Sequence, residues 1–334
     1  MNSELLHRLV QLGQFPGPAT GVSVVETHIS WIILTDQYAF KLKKPVQFDF
    51  LDFSTLALRK FYCAEEFRLN SRLAPQMYIG VLPVTIHGIG ANEGEVVDVA
   101  LQMHRMDNRF EMDKMLVQGK VTERHMEALA AQLAAFHQKH QLPADHHYRP
   151  DEDIHDFSDL FTFEEDLFAL LCPDAATVLS SWKKAVPAFL EAQSPHLESR
   201  LVNGFWVDGH GDLHSRNIFL PEAGEPVIFD CIEFNPHLRQ TDVLNELAFI
   251  CMDLEFHGRE DLSEVFLEAY GRHWLCFERL EDDLLFTYFK AYRANVRLKV
   301  TLLGLRQHPT EEQVRVARSY WALLKRYMLD LVGF

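Results

Sequence analysis

The densest run of chemically capable side chains is His210-Gly211-Asp212-Leu213-His214-Ser215-Arg216-Asn217, and a further acid, Asp230, follows two short apolar segments. Ile218-Phe219-Leu220 and Val227-Ile228-Phe229 are β-prone, and Pro221-Glu222-Ala223-Gly224-Glu225-Pro226 between them is turn chemistry, which predicts a β-hairpin. In the simplest register Ile218 faces Phe229 and Leu220 faces Val227. Asn217 then lies opposite Asp230, with Cα atoms about 5 Å apart. An amide oxygen beside a carboxylate, with Asp212 one loop upstream, is a hard-oxygen set. It suits Mg²⁺, which takes a few protein oxygens and completes its octahedron with water and phosphate. His210-x-Asp212-x-His214 offers a rival zinc chemistry, but it needs further ligands and leaves Asn217 and Asp230 without a role.

Asp212-x4-Asn217, a hairpin and then Asp230 resembles the spacing of a kinase catalytic loop. With His-Gly-Asp where protein kinases carry His-Arg-Asp, it is similar to the aminoglycoside phosphotransferase-like branch of the protein-kinase fold. The resemblance implies an α+β, two-lobe architecture: a small antiparallel-sheet N-lobe with one helix over residues 1–106, and a larger, mostly helical C-lobe over 107–334. It implies ATP and Mg²⁺ as cofactors and a hydroxyl as phosphoryl acceptor. Asp212 would orient that hydroxyl and take its proton, while Asn217 and Asp230 would hold Mg²⁺. The likeness looks closest to bacterial members of unassigned substrate. Some of those carry a second nucleotide-binding domain, which is not expected here because no Gly-x4-Gly-Lys-Ser/Thr motif occurs.

These residues must be positioned by the elements around them. A short amphipathic helix is expected near 4–13, then β-pattern from Val22 to Leu34 and a strand Tyr38-Ala39-Phe40-Lys41-Leu42-Lys43. Along that strand Tyr38, Phe40 and Leu42 share one face, while Ala39, Lys41 and Lys43 share the other. A lysine on an inner face needs a partner. The resemblance supplies nucleotide phosphates and a helix glutamate, with Lys41 preferred and Lys43 next. The helix is expected after Ser54 as cap and before Pro75. Glu66 lies in its Tyr62-Leu69-Leu73 stripe, and Glu65 lies in an alternative one. The turn Glu26-Thr27-His28-Ile29-Ser30 lacks the glycines that usually cover phosphates, leaving the Thr27 and Ser30 hydroxyls and backbone N–H groups for that role. Strands over 78–86 and 96–103 complete the sheet, and by resemblance Met103-His104-Arg105-Met106 is the hinge whose backbone holds adenine.

The remainder reads as helical. Thr122 can cap a helix to His140 with Met126, Leu129, Leu133 and Phe136 inward, and another is expected near 175–192. The acid- and histidine-rich stretch from Asp145 to Asp166 reads as a solvated loop and helix start, with a metal site or a collar for a cationic substrate as its rivals. Glu233 is a weaker candidate for metal or substrate. Asp242 matches an acid that braces the catalytic loop in the resembling branch, an ordinary N-cap being the competing reading. Further helices are expected near 261–277, 281–304 and 310–331.

Composition narrows the partners. A formal charge of −16 argues against nucleic acid and suits a small-molecule acceptor, cationic ones included. Five dispersed cysteines without a Cys-x-x-Cys pair, no signal-like N-terminus and no long apolar run point to a cytoplasmic protein without a membrane span. Oligomeric state is not readable. The reading is a phosphotransferase acting on a small-molecule hydroxyl; its rivals are a nucleotide-binding scaffold without turnover and a zinc hydrolase.

Overall fold

Period-two alternation of apolar side chains builds an antiparallel sheet in the order β1 (Ser23–Glu26), β2 (Ser30–Leu34), β3 (Tyr38–Lys43), β7 (Asp98–His104), β6 (Tyr78–Val84). The computed structural model describes residues 3–48, 51–91, 93–146, 148–159, 175–307 and 310–332. They form two compact units, one of residues 1–115 with 216–239 and the other of 116–215 with 240–334. The stretch 216–239, expected in the C-lobe, thus clusters with the sheet.

In the first unit Trp31, Ile33, Phe40 and Leu42 are buried on one face with Leu6 and Leu9 of α1 (Ser3–Leu12). Burial of such side chains contributes roughly 1.5–3 kcal/mol each. The other face carries Ala39, Lys41 and Lys43, as alternation requires, and α2 (Leu56–Asn70) lies in the same unit, tied to β7 by the buried Arg59–Asp98 ion pair at 3.0 Å. The cap of α2 is Thr55 rather than Ser54. The Thr55 hydroxyl accepts the Leu58 N–H at 3.2 Å, whereas the Ser54 N–H is donated back to Asp52. Two short strands, β4 (Gln47–Phe48) and β5 (Leu51–Asp52), lead into that cap.

The expected hairpin is present as β9 (Ile218–Phe219) and β10 (Val227–Ile228), but its register differs by one residue. Phe219 pairs with Val227 and Ile218 with Ile228, so Asn217 falls opposite Phe229, whose N–H it accepts at 3.0 Å. Alternation fixes which residues share a face, not which one closes the turn. Here the Leu220 N–H is donated outward to Phe110 O at 2.8 Å, and Glu111 bridges to Phe219. Asn217 and Phe229 therefore form the next rung, and Asp230 sits beyond it in the left-handed region at φ 65°.

The second unit is mostly helical. It contains α4 (Glu123–Lys139), α5 (Pro150–Asp159), α6 (Ala175–Val202), α7 (Val243–Phe256), α8 (Glu260–His273), α9 (Leu280–Gln307) and α10 (Glu311–Val332). A further helix, α3 (Met112–Val117), crosses the division, and β8 (Trp206–Asp208) pairs with β11 (Gln240–Asp242). The α4 residues Met126, Leu129, Leu133 and Phe136 are buried as expected. Helix α6 runs past the expected end near 192 despite Pro187 and Pro195. Its apolar stripe continues through Leu197 and Leu201, and that burial offsets the hydrogen bonds the prolines cannot make.

Asp151, Glu152 and Asp153 form the first turn of α5, where the helix dipole favours acids. His147, Glu164, Glu165 and Asp166 of that acidic stretch lie outside the described residues. No helix among the described residues is long and apolar enough to cross a membrane. Cys63, Cys231, Cys251 and Cys276 are buried free thiols, and Cys172 lies outside the described residues. Thr55→Ala is expected to lower the unfolding free energy by about 1 kcal/mol, and Ser54→Ala to change it by less than about 0.5 kcal/mol. Urea unfolding of both variants checks the assignment of the cap.

Candidate active site

Two lysines and one glutamate form the centre of the first unit. Lys41 Nζ lies 2.7 Å from Glu66 Oε1 and 2.5 Å from Asp230 Oδ1. Lys43 Nζ lies 2.6 Å from Glu66 Oε2 and also pairs with Glu233. The structure thus pairs Glu66 with both candidate lysines, while Glu65 binds Arg68 on the outer side of α2. Burial alone would raise the Glu66 carboxyl, but the ammonium groups of Lys41 and Lys43 outweigh it and hold the group down at about 2. Burial likewise works against the charge on Lys41, yet Asp230 and Glu66 keep its ammonium well above the usual range. Lys43 is raised in the same sense, by Glu233 and Glu66 against burial.

A cavity of about 470 Å³ within this unit is lined by Lys41, Asp230, Ala39, Tyr78, Phe219 and the run Met103-His104-Arg105-Met106, among others. That volume is in the range of small-ligand pockets. Lys43 and Glu233 are not among its lining residues. The backbone of the Met103–Met106 run is partly committed already: the His104 N–H is donated to Met77 O and the Arg105 N–H to Gln37 O, both at 2.8 Å. Thr27 lines the cavity, but its hydroxyl closes its own turn by accepting the Ser30 N–H at 2.9 Å and donating to Ser30 O.

Asp230 has the attributes of a cation ligand. Its side chain is 43% exposed, and Oδ1 faces Lys41 while Oδ2 has no partner among the described residues. Asn217 belongs to the same unit but is buried and does not line the cavity; the two residues each offer an oxygen, the donor type that suits Mg²⁺. Zinc does not fit at His210 and His214. His210 Nδ1 accepts the Asp212 N–H at 3.2 Å, and His214 Nε2 has the Arg297 guanidinium at 3.3 Å. Among the described residues no three His, Cys, Asp or Glu side chains are grouped to hold a metal.

Asp212 belongs to the second unit, on a loop that continues through Ser215 into Asn217. The loop hangs from helix α7. Glu246 accepts the N–H groups of His210 and Gly211 at 2.7 and 2.8 Å, and Asp253 accepts that of Ser215 at 2.8 Å. Arg293 of α9 donates to Gly211 O at 2.9 Å and to Asn245 Oδ1 at 2.7 Å. A Cβ at position 209 would come within 2.7 Å of the Glu246 carboxyl, so only glycine permits this approach. Burial pushes the Asp212 carboxyl up, but His214, Arg297 and His210 bring it well below the usual carboxylate range.

The bracing acid is therefore Glu246, not Asp242. Asp242 caps α7 through the Leu244 N–H and takes a bidentate contact from Arg200 at 2.7 and 2.9 Å. Sequence reasoning missed Glu246 and Asp253, although two acids seven residues apart on a mostly apolar helix share a face and ask for partners. It also missed Tyr78, whose hydroxyl accepts the Asp230 N–H at 3.1 Å, and Asn70, which accepts the Cys231 N–H at 2.8 Å. Neither stands out from an ordinary core position in the sequence.

This arrangement is a kinase-like fold. It is shared by a choline/ethanolamine kinase family protein from Mesorhizobium loti, with a TM-score of 0.56 over 97% of this chain and 94% of that one at 11% identity. It is also shared by the GDP and kanamycin complex of APH(2")-IIia, with a TM-score of 0.54 over 98% and 99% at 16% identity. At those identities the likeness is one of fold. Family membership rests on sequence: residues 62–283 match the phosphotransferase enzyme family, and the chain belongs to it. Over 305 residues it is 34% identical to the uncharacterized protein Rv2004c of Mycobacterium tuberculosis, covering 89% of this chain. The match takes in 58% of that protein, so the chain spans little more than half the length of the curated relatives it matches.

Burial opposes ionisation of Glu246, but His137 and His210 and the two backbone donors hold its carboxyl at about 2, below the ordinary 4.5. A depressed folded-state value stabilises fully above pH 4.5 and is lost as pH falls towards 2, an effect of roughly 3 kcal/mol at most. Glu246→Gln is expected to be less stable than the wild type at pH 7, with the difference shrinking between pH 4.5 and 2. Urea unfolding across that window measures it.

Proposed function

We propose that the protein is an ATP- and Mg²⁺-dependent phosphotransferase that moves a γ-phosphoryl group to a hydroxyl of a small molecule. The observation that carries this reading is the set of contacts from Lys41 to Glu66 and Asp230, lining a cavity bordered by the Met103–Met106 run. Lys41 would position the nucleotide phosphates while Glu66 fixes its ammonium. Asn217 and Asp230 would hold Mg²⁺, which when bound supplies charge neutralisation for the phosphates. Met103 would border the adenine, with the hinge carbonyls and N–H groups as its polar partners.

Asp212 would orient the acceptor hydroxyl and receive its proton. Its low proton affinity makes orientation and charge stabilisation the larger part of that role, since a strong general base has a value nearer the working pH. Catalysis of this kind is mostly positioning. The acceptors named for the structural relatives, kanamycin and choline or ethanolamine, make cationic alcohols the first class to try, and the chain's net charge of −16 suits them. A cytoplasmic location accords with the buried free thiols.

A panel of alcohols offered with γ-labelled ATP tests the reading. Label is expected on at least one hydroxyl compound, and Asp212→Asn is expected to lower that turnover by about 10²–10⁴-fold with nucleotide affinity preserved. Full turnover in the variant would remove Asp212 from the role. Nucleotide binding with no transfer to any alcohol in the panel would favour a binding module without turnover.

A further inference from the structure

The segment after Asp230 is fastened by residues that direct phosphate or metal contact leaves without a role. Lys43 lies two residues along β3 from Lys41, and its ammonium is divided between Glu66 Oε2 and Glu233 Oε1. All three side chains are sealed, with exposures of 1%, 0% and 5% for Lys43, Glu66 and Glu233. Lys43 does not line the cavity that Lys41 lines, so it is not placed to touch a phosphate there. Glu233, bound to Lys43, is not placed to bind metal or substrate there either.

Glu233 stands three residues beyond Asp230, and the intervening chain is held as well. Asn70 accepts the Cys231 N–H at 2.8 Å and donates to Glu66 O at 3.0 Å, joining the segment to the helix turn that carries Glu66. Asp230 itself has φ 65°, a conformation that a non-glycine residue keeps only when its surroundings impose it. The Lys41–Asp230 contact uses a carboxylate oxygen for which a bound cation competes. The Lys43–Glu233 contact uses neither oxygen of Asp230, so metal binding does not compete with it.

We propose that Lys43 and Glu233 are positioning residues for the metal–nucleotide site, an ion pair that sets the Asp230 carboxylate in the cavity wall and couples it to Glu66 without touching the ligand. The inference rests on the phosphotransferase reading. The pair is absent from the roles that reading assigns, because Lys43 is spent on Glu66 and Glu233, and Glu233 on Lys43.

The test is equilibrium binding of a fluorescent ADP analogue with and without Mg²⁺, on the wild type and on the double variant Lys43→Met, Glu233→Met. Replacing both members leaves no orphaned buried charge, and Lys41 keeps Glu66. The variant is expected to lose about tenfold of the affinity that Mg²⁺ adds, equivalent to about 1.4 kcal/mol, with Mg²⁺-free affinity within about twofold of wild type. A purely structural pair would instead lower the melting temperature and leave the Mg²⁺-dependent gain intact, which overturns the inference and spares the phosphotransferase reading. No Mg²⁺-dependent gain in the wild type overturns both. Should the double variant not fold, Glu233→Gln keeps the shape and a hydrogen bond to Lys43 and is expected to lose several-fold of the same gain; an unchanged gain there overturns the inference.

Discussion

The first unit depends on one shared carboxylate. Glu66 lies fully buried between two ammonium groups, with one oxygen for Lys41 and the other for Lys43. Three constraints meet in that arrangement. Strand β3 must turn two lysines to the same face, which period-two geometry does for positions 41 and 43. Helix α2 must present a glutamate from an otherwise inward stripe. The lysines must then find other anions, because one carboxylate cannot neutralise both, and Asp230 and Glu233 supply them. Removing Lys43, Glu66 or Glu233 alone from such a buried set costs about 3–5 kcal/mol, because it leaves a buried charge short of its partner.

The second unit solves a different problem, which is to hold a short irregular loop with its own donors satisfied. Residues 209–215 cannot use sheet or helix ladders for all their N–H groups. Helix α7 provides two carboxylates in their place, from Glu246 and Asp253, and Arg293 takes a carbonyl. A loop held by charged acceptors buried in a mostly apolar helix is stiff, and stiffness is what the orienting role proposed for Asp212 requires. Asp212 is thus set by α7 and by the imidazole of His214, while Asn217 and Asp230 are set by the hairpin and the β3–α2 cluster.

Much of this was legible in the sequence where a period or a spacing decided it. Alternation placed Lys41 and Lys43 on the inner face, and Asp212-x4-Asn217 with a hairpin gave the loop its family, whereas helical stripes offered both Glu65 and Glu66 and the structure selects Glu66. Legibility ended where a contact from elsewhere in the chain decided the outcome. The hairpin register is one residue from the expected one because Phe110 claims the Leu220 N–H. The cap of α2 is Thr55, one residue beyond the expected Ser54, because its hydroxyl is the one that meets the Leu58 N–H. The resemblance pointed to Asp242 as the bracing acid and passed over Glu246, since only the fold reveals that Arg200 occupies the first and leaves the second to the loop. Lys43 stands as the runner-up to Lys41 in the sequence because a strand pattern shows a face and not the depth of burial along it.

The central claim is that Asp230 and Lys41 line a metal–nucleotide site. Melting temperature measured against ATP concentration, with and without Mg²⁺, on the wild type and on Asp230→Ala tests it most directly, since a ligand that binds only the folded state raises it by mass action. The expected result is a rise in the wild type that Mg²⁺ enlarges, with the Mg²⁺-dependent part absent in Asp230→Ala. An equal Mg²⁺-dependent rise in both proteins, or no rise in the wild type at millimolar nucleotide, would contradict the account.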